Sequence, residues 1–178
     1  VIPLHNSESV ISQSVEAWMD FLPEGNGQVY LVENGSSDRT WQLCCELQDR
    51  FGQHRIVALR SEKGMGNALD AGILASTEDY VLLSADDLPF GFSDVAAAIN
   101  DDWSSSIIIG SKAHPSSEIG RSRKRELISS GFRIARRIAL FSRVGDSQGT
   151  FIVRGDWARS IAPRLQETGF LFTTEFVY

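Results

Sequence analysis

The sequence has 178 residues, enough for one domain with a sizeable core, and its 42% hydrophobic and 22% charged residues are ordinary for a globular protein. A formal net charge of -6 argues against a general nucleic-acid binder, so we expect no nucleic-acid partner. The only cysteines, Cys44 and Cys45, are adjacent, which excludes a disulfide framework and favours a reducing compartment. No apolar run approaches the roughly 20 residues that span a bilayer, and we expect no signal peptide.

Short apolar runs alternate with amphipathic stretches over the first 110 residues. The predicted strands are Val1–Leu4, Val29–Val32, Ile56–Leu59, Tyr80–Leu83 and Ser106–Gly110. The predicted helices are Val10–Leu22, with Ser7 as a candidate cap, Thr40–Phe51, the stretch from Gly64 to Leu74, and Ser93–Ile99. This alternation is typical of βαβ units, so we predict one α/β domain over residues 1–178 with a parallel sheet. The sequence opens inside a strand and ends in an apolar segment, and we expect a domain truncated at both ends.

Two adjacent carboxylates, Asp86 and Asp87, follow the Tyr80–Leu83 strand, and Pro89 stops that strand from continuing. In open α/β sheets, ligands bind beyond the carboxyl ends of the strands. Paired carboxylates are hard oxygen ligands, suited to a Mg²⁺ or Mn²⁺ ion that holds a diphosphate. The alternative is a solvated turn that caps the next helix.

Two polar loops between strands and helices are candidates for nucleotide contacts. In the loop 33–38, acidic groups could accept hydrogen bonds from a base or from ribose hydroxyls, and Ser37 or Asp38 could equally cap the helix. In the loop 62–67, glycines at a helix N-terminus offer backbone donors to a phosphate. A tight strand-to-helix turn explains the same glycines.

The pattern changes after Lys112, where we predict a basic amphipathic helix over residues 123–141. Its arginines offer bidentate contacts to phosphate, and its apolar face could lie on a membrane surface or pack on the domain. The turn 145–150 contains Asp146, which could act as a base or metal neighbour, and Gln148, which could bind a substrate hydroxyl. A plain β-turn is the alternative for this segment.

A strand at Thr150–Val153 and a helix at Asp156–Leu165 follow, and then an apolar C-terminal segment. Glu175 lies within that segment. Burying a carboxylate without a partner is costly, so Glu175 is a modest site candidate.

Taken in order, these motifs resemble the family 2 inverting glycosyltransferases of GT-A fold, and especially the dolichyl- and polyprenyl-phosphate mannose or glucose synthases. The segments that carry the resemblance are residues 1–8 (family pattern V-I-P-x-Y-N-E-x), 31–40 (V-V-D-D-G-S-x-D-x-T), 63–72 (G-K-G-x-A…G), 84–88 (D-x-D-L), 125–131 (R-K-L-I-S-R-G), 146–148 (D-T-Q) and 172–175 (F-x-x-E). They cover nearly the whole chain.

This resemblance implies a Rossmann-like, mostly parallel sheet with helices on both faces. It also implies transfer of a hexose, with inversion, from a nucleotide diphosphate-sugar to a lipid phosphate or a sugar, at the cytoplasmic face of a membrane or in the cytoplasm. The implied roles are metal binding for Asp87 and Asp86, donor binding for Pro3, Glu33, Gly35, Ser36, Asp38, Lys63, Asp86 and Gln148, and catalysis for Asp146, Arg125 and Arg123.

The chain departs from the family pattern at three places. Glu33 and Asn34 replace two aspartates, His5 replaces a tyrosine, and Ser84 or Ala85 (depending on the alignment) stands where the first acid of D-x-D is usual. One alternative is therefore a catalytically weak module that keeps a nucleotide-sugar pocket after losing a metal ligand. The other is a sugar-1-phosphate nucleotidyltransferase, although such enzymes usually carry a glycine-rich loop where this chain has residues 5–8.

Overall fold

The computed structural model describes residues 1–88, 91–99, 106–110 and 150–177. The strands in these ranges are β1 (Ile2–Leu4), β2 (Val29–Glu33), β3 (Ile56–Arg60), β4 (Tyr80–Leu83), β5 (Ile107–Gly110) and β6 (Thr150–Arg154). The helices are α1 (Ile11–Phe21), α2 (Thr40–Phe51), α3 (Met65–Ala75), α4 (Ser93–Ile99), α5 (Gly155–Ile161) and α6 (Phe172–Val177), with a 3₁₀ turn at Ala162–Arg164.

The strands form two three-stranded sheets, in the orders β3-β2-β1 and β4-β6-β5. β1 pairs with β2 and β2 with β3, both in parallel, whereas β6 lies antiparallel between β4 and β5. Val1, just before β1, joins the two sheets by pairing with the end of β4. Its nitrogen donates to the carbonyl of Leu82 at 2.6 Å, and its carbonyl accepts from the N–H of Ser84 at 3.0 Å. A residue that bonds to positions two apart on its neighbour marks parallel strands, so β1 and β4 run in the same direction.

β2 is buried along its whole length because helices cover both faces of the sheet. Val29 and Leu31 pack in one core with the apolar faces of α1 and α2. Tyr30 and Val32 point the other way and pack in a second core with α3, α5 and α6. The period-2 alternation of a strand thus assigns neighbouring residues to different cores.

The predicted α/β fold with a mostly parallel sheet is confirmed, and β6 is the antiparallel exception. An apolar run has the same pattern in either direction, so the sequence carries no signal for the direction of β6. The apolar C-terminal segment forms α6, in which Phe172 and Phe176, one helical turn apart, are both buried. The predicted basic helix 123–141 lies outside the described residues.

Within the described ranges, no helix combines the length and the apolar character needed to cross a bilayer.

Candidate active site at the carboxyl ends of β1, β2 and β4

Three polar loops meet where β1, β2 and β4 end. The register places Leu4, the last residue of β1, opposite Glu33, the last residue of β2. β4 runs beside β1 in the same direction, so its terminal loop emerges at the same edge of the sheet. Side chains at this edge are therefore in position to act on one ligand.

Asn6 connects the first loop to the second. Its backbone is left-handed, with φ of 54°, a conformation that asparagine tolerates better than most residues. Its N–H donates to the hydroxyl of Ser36 at 3.0 Å, and its side-chain oxygen accepts from the N–H of Ser37 at 2.9 Å. These bonds fix the loop 34–39 against the end of β1.

Glu33 is almost completely buried, with 4% of its surface exposed. One carboxylate oxygen accepts from the N–H of Ser36, and the other lies 3.2 Å from Nε of Arg60. The guanidinium of Arg60 in turn lies over the ring of Trp41, 4.4 Å from its centroid. The charge of Glu33 is thus paired, and its oxygens already have protein donors, so nucleoside contact by this residue stays a prediction.

Asp38 accepts three hydrogen bonds at the start of α2. They come from the N–H of Thr40 at 3.0 Å, from the Thr40 hydroxyl at 2.5 Å and from the N–H of Glu8 at 3.2 Å. Burial alone would raise the pKa of Asp38, but these bonds outweigh it and hold the pKa below its ordinary value. The carboxylate therefore pairs the first N–H group of α2 from the residue before the N-cap, Arg39, and connects that helix to the first loop.

Ser7 connects this arrangement to the acid pair. Its hydroxyl donates to the carboxylate of Asp86, and its N–H donates to the hydroxyl of Thr40 at 2.8 Å. The prediction that the Ser7 side chain caps α1 is wrong, because its carbonyl, not its hydroxyl, receives the N–H groups of Val10 and Ile11. A continuous line of contacts thus runs from Asp38 through Thr40 and Ser7 to Asp86.

The two adjacent acids have different surroundings. Asp86 is half-buried and directed toward the end of β1, whereas Asp87 is exposed. No group of three or more histidine, cysteine or acidic side chains suited to a metal occurs in the described part of the chain. Two carboxylates nevertheless fit a Mg²⁺ or Mn²⁺ ion, because such ions commonly bind one or two carboxylates together with the phosphates of the substrate.

Three backbone N–H groups in the glycine turn at the start of α3 already donate to protein acceptors. The N–H groups of Gly66 and Asn67 donate to the carbonyl of Thr168 at 2.9 and 3.3 Å, and that of Gly64 donates to the side chain of Asn34 at 3.3 Å. The tight-turn interpretation is therefore the correct one for these backbone groups. The role of the exposed Lys63 side chain in donor binding stays a prediction.

Several predicted site residues come together at this edge. The second loop supplies Glu33, Gly35, Ser36 and Asp38, and a Cβ built on Gly35 would lie 3.3 Å from Cβ of Lys63. Pro3 lies inside β1, opposite Val32, rather than in a loop. The remaining predicted site residues, Arg123, Arg125, Asp146 and Gln148, lie outside the described residues.

Other residues of this edge were not assigned to the site from the sequence. Ser7, Thr40 and Asn34 are each buried and polar, and each bonds across chain segments. Glu175, by contrast, has partners, because it accepts from the N–H groups of Gln166 and Glu167 at distances of 2.8 to 3.2 Å. Its carboxylate holds the segment before α6.

The chain is similar to dolichyl-phosphate beta-glucosyltransferases. It is 29% identical to that of Saccharomyces cerevisiae over 201 residues, covering 99% of this chain and 60% of the yeast protein. It is 27% identical to the human protein of that name over 150 residues, covering 74% of this chain and 46% of the human protein. The chain therefore spans only about half the length of these relatives.

Solved structures of glucosyl-3-phosphoglycerate synthase from Mycobacterium tuberculosis share the fold. The complex with UDP has a TM-score of 0.57 at 18% identity and covers 87% of this chain and 55% of that chain. The complex with Mn²⁺, UDP-glucose and phosphoglyceric acid has a TM-score of 0.58 at 15% identity, with the same coverage. These neighbours confirm the α/β fold of GT-A type that the resemblance implied.

The family match covers nearly all of the chain. The sequence profile described as Glycosyl transferase family 2 matches residues 1–159, a range that contains the described strands and all three loops of the candidate site. The motifs of the sequence predicted the same family. The chain belongs to glycosyl transferase family 2.

Proposed function

We propose that this chain is the catalytic domain of a glycosyltransferase that moves glucose, with inversion, from UDP-glucose to a polyprenyl phosphate. The names of the relatives support the lipid phosphate acceptor and the sugar, and the ligands of the structural neighbours support the UDP donor. The observation that carries the proposal is the connected set of side chains from Asp38 to Asp86 at the carboxyl edge of the sheet.

The donor would lie across this edge. Glu33, Gly35, Ser36 and Asp38 would face the nucleoside, because they lie at the end of β2 and in the loop that follows it. Asp86 and Asp87 would hold a divalent cation on the diphosphate. When bound, that ion supplies Lewis-acid stabilisation to the departing diphosphate. Pro3, Lys63 and Gln148 complete the proposed donor site.

The reaction forms one bond and breaks one bond. An oxygen of the acceptor phosphate attacks the anomeric carbon, while the bond from that carbon to the diphosphate oxygen breaks and its electron pair leaves with the nucleotide. A phosphate oxygen is already anionic, so this acceptor needs no strong base. Arg123 and Arg125 would neutralise the acceptor phosphate. A sugar hydroxyl would instead have to lose a proton, and Asp146 would take it.

The basic segment 123–141 would bring the domain to the cytoplasmic face of a membrane, where a polyprenyl phosphate resides. Its sequence combines arginines with apolar residues, a composition suited to a charged lipid surface.

The donor is tested by thermal shift with UDP-, GDP- and dTDP-sugars, each with and without Mn²⁺. We expect UDP-glucose with Mn²⁺ to raise the midpoint temperature of thermal unfolding more than the other donors do. Asp86→Asn should reduce that rise by removing a metal ligand. Asp49→Asn makes the same chemical change at an exposed position of α2 and should leave the shift unchanged. If the Asp86→Asn variant showed the same rise in midpoint temperature as the wild-type protein, Asp86 would not be a metal ligand.

The acceptor is tested with the double variant Arg123→Ala/Arg125→Ala. We expect transfer to a short polyprenyl phosphate to fall at least tenfold while binding of UDP-glucose is retained, since these arginines act on the acceptor. Loss of both functions, or of neither, contradicts this assignment.

The second candidate, a nucleotide-sugar-binding module with weak catalysis, is favoured by the loop after β4, where Ser84 or Ala85, depending on the alignment, stands in place of the first acid of the family pattern. Such a module would bind UDP-glucose equally well without Mn²⁺ and would release no sugar. Metal-independent binding in the thermal-shift experiment, together with no transfer, decides for this candidate.

A further inference from the structure

The hydroxyl of Ser7 donates a hydrogen bond to the carboxylate of Asp86, one of the two acids proposed to hold the metal. Ser7 is 2% exposed, and it lies 79 positions from Asp86 in the sequence, so their contact depends on the folded sheet. A buried hydroxyl that donates to a carboxylate restricts the directions in which that carboxylate can turn.

The backbone of Ser7 is itself held in place. Its carbonyl accepts from Val10 at 3.1 Å and from Ile11 at 3.0 Å, which fixes it to the first turn of α1. Its N–H donates to the hydroxyl of Thr40 at 2.8 Å, which fixes it to the first turn of α2. The hydroxyl of Ser7 therefore reaches Asp86 from a rigid support formed by two helices.

We infer that Ser7 is a positioning residue that orients Asp86 toward the metal-bound diphosphate of the donor. Ser7 occupies one oxygen of Asp86 and leaves the other oxygen, in a fixed direction, for the cation. Partners of this kind commonly change metal affinity by about 10–100-fold when they are removed. The same contact connects the acid pair, through Thr40 and Asp38, to the loop that would hold the nucleoside.

This inference rests on the proposed function, and its test measures metal binding rather than transfer. Mn²⁺ is titrated in the presence of UDP, and the free ion is followed by electron paramagnetic resonance. For Ser7→Ala we expect the dissociation constant of Mn²⁺ to rise about 10–100-fold at a temperature where circular dichroism shows the fold intact. Ser7→Cys, which keeps the volume with a weaker donor, should give a smaller rise, and it replaces Ser7→Ala if that variant does not fold.

Ser14→Ala is the matched control. Ser14 is also a buried serine, at 6% exposure, but its hydroxyl has no hydrogen-bond partner among the residues that the structure describes, so its removal should leave Mn²⁺ binding unchanged. Wild-type affinity in folded Ser7→Ala or Ser7→Cys would overturn the positioning role while leaving the proposed function intact. Absence of Mn²⁺ binding to the wild-type protein with UDP would instead overturn both.

Discussion

Asn34 uses both ends of its side chain to join two parts of the fold. Its amide nitrogen donates to the carbonyl of Leu4 at 2.8 Å, and its oxygen accepts from the N–H of Gly64 at 3.3 Å. The residue is 5% exposed, so neither bond can be exchanged readily for water. The family pattern has an aspartate here, and in this chain the amide supplies a donor that a carboxylate lacks.

Asn34→Asp should therefore destabilise the protein by about 1–3 kcal/mol at pH 7, because it places an acceptor against the carbonyl of Leu4 in a buried position. Urea unfolding followed by circular dichroism measures the change. Asn26→Asp makes the same substitution in an exposed turn and should alter stability by less than about 0.5 kcal/mol. Equal stability of the two variants would show that the Asn34 amide is not needed as a donor.

At the scale of elements, α3 begins against a segment from the far end of the chain. The carbonyl of Thr168 receives the N–H groups of Gly66 and Asn67, which are among the groups that a helix leaves without partners in its first turn. A Cβ built on Gly66 would lie 2.5 Å from the carbonyl oxygen of Glu167 and 2.7 Å from the carbonyl carbon of Thr168. Gly66 is therefore required by close packing of backbone on backbone.

Gly66→Ala should have two opposite effects on stability: a gain in helix propensity and a steric cost in the packed contact with the segment 165–169. Alanine favours a helix by about 0.5–1 kcal/mol, whereas forcing extra volume into a packed site costs about 1–3 kcal/mol. The obstructing atoms are backbone, so we expect the steric cost to dominate and the free energy of unfolding in urea to fall. Gly169→Ala adds a methyl group into open space and should change little. A stabilised Gly66→Ala variant would mean that the segment 165–169 moves away freely.

The elements differ in how well the sequence predicts them. α2, β4 and α4 have the predicted bounds, since each is a clear apolar pattern bounded by polar or turn-forming residues. The site is harder to predict. The loops and the acid pair were located from strand ends and family motifs, but Ser7–Asp86 and Thr168–Gly66 are contacts between distant segments that leave no local pattern.

For the whole molecule, the important feature is that two cores share one strand. Leu31 and Val32 are adjacent in β2 and both fully buried, yet they belong to opposite faces of the sheet. Loss of packing on one face removes support from β2 and hence from the other face. We therefore expect the two cores to unfold together.

Leu31→Ala should lower the free energy of unfolding by about 2–5 kcal/mol and Val32→Ala by about 1.5–3 kcal/mol. In each variant a single urea transition should be seen by both Trp18, which lies in the core with α1, and Trp157, which packs on the other core. Fluorotryptophan NMR resolves the two signals. Separate midpoints for the two tryptophans would show that the faces unfold independently.

The contact between Thr168 and the start of α3 also sets an order of events during synthesis. Gly66 and Thr168 are about 100 residues apart, and translation adds roughly 5–20 residues per second, so the acceptor is made about 5–20 s after the donors. Until then, the N–H groups of Gly66 and Asn67 lack their acceptor in the folded domain. The first turn of α3 is therefore completed only after the segment that contains Thr168 has been synthesised.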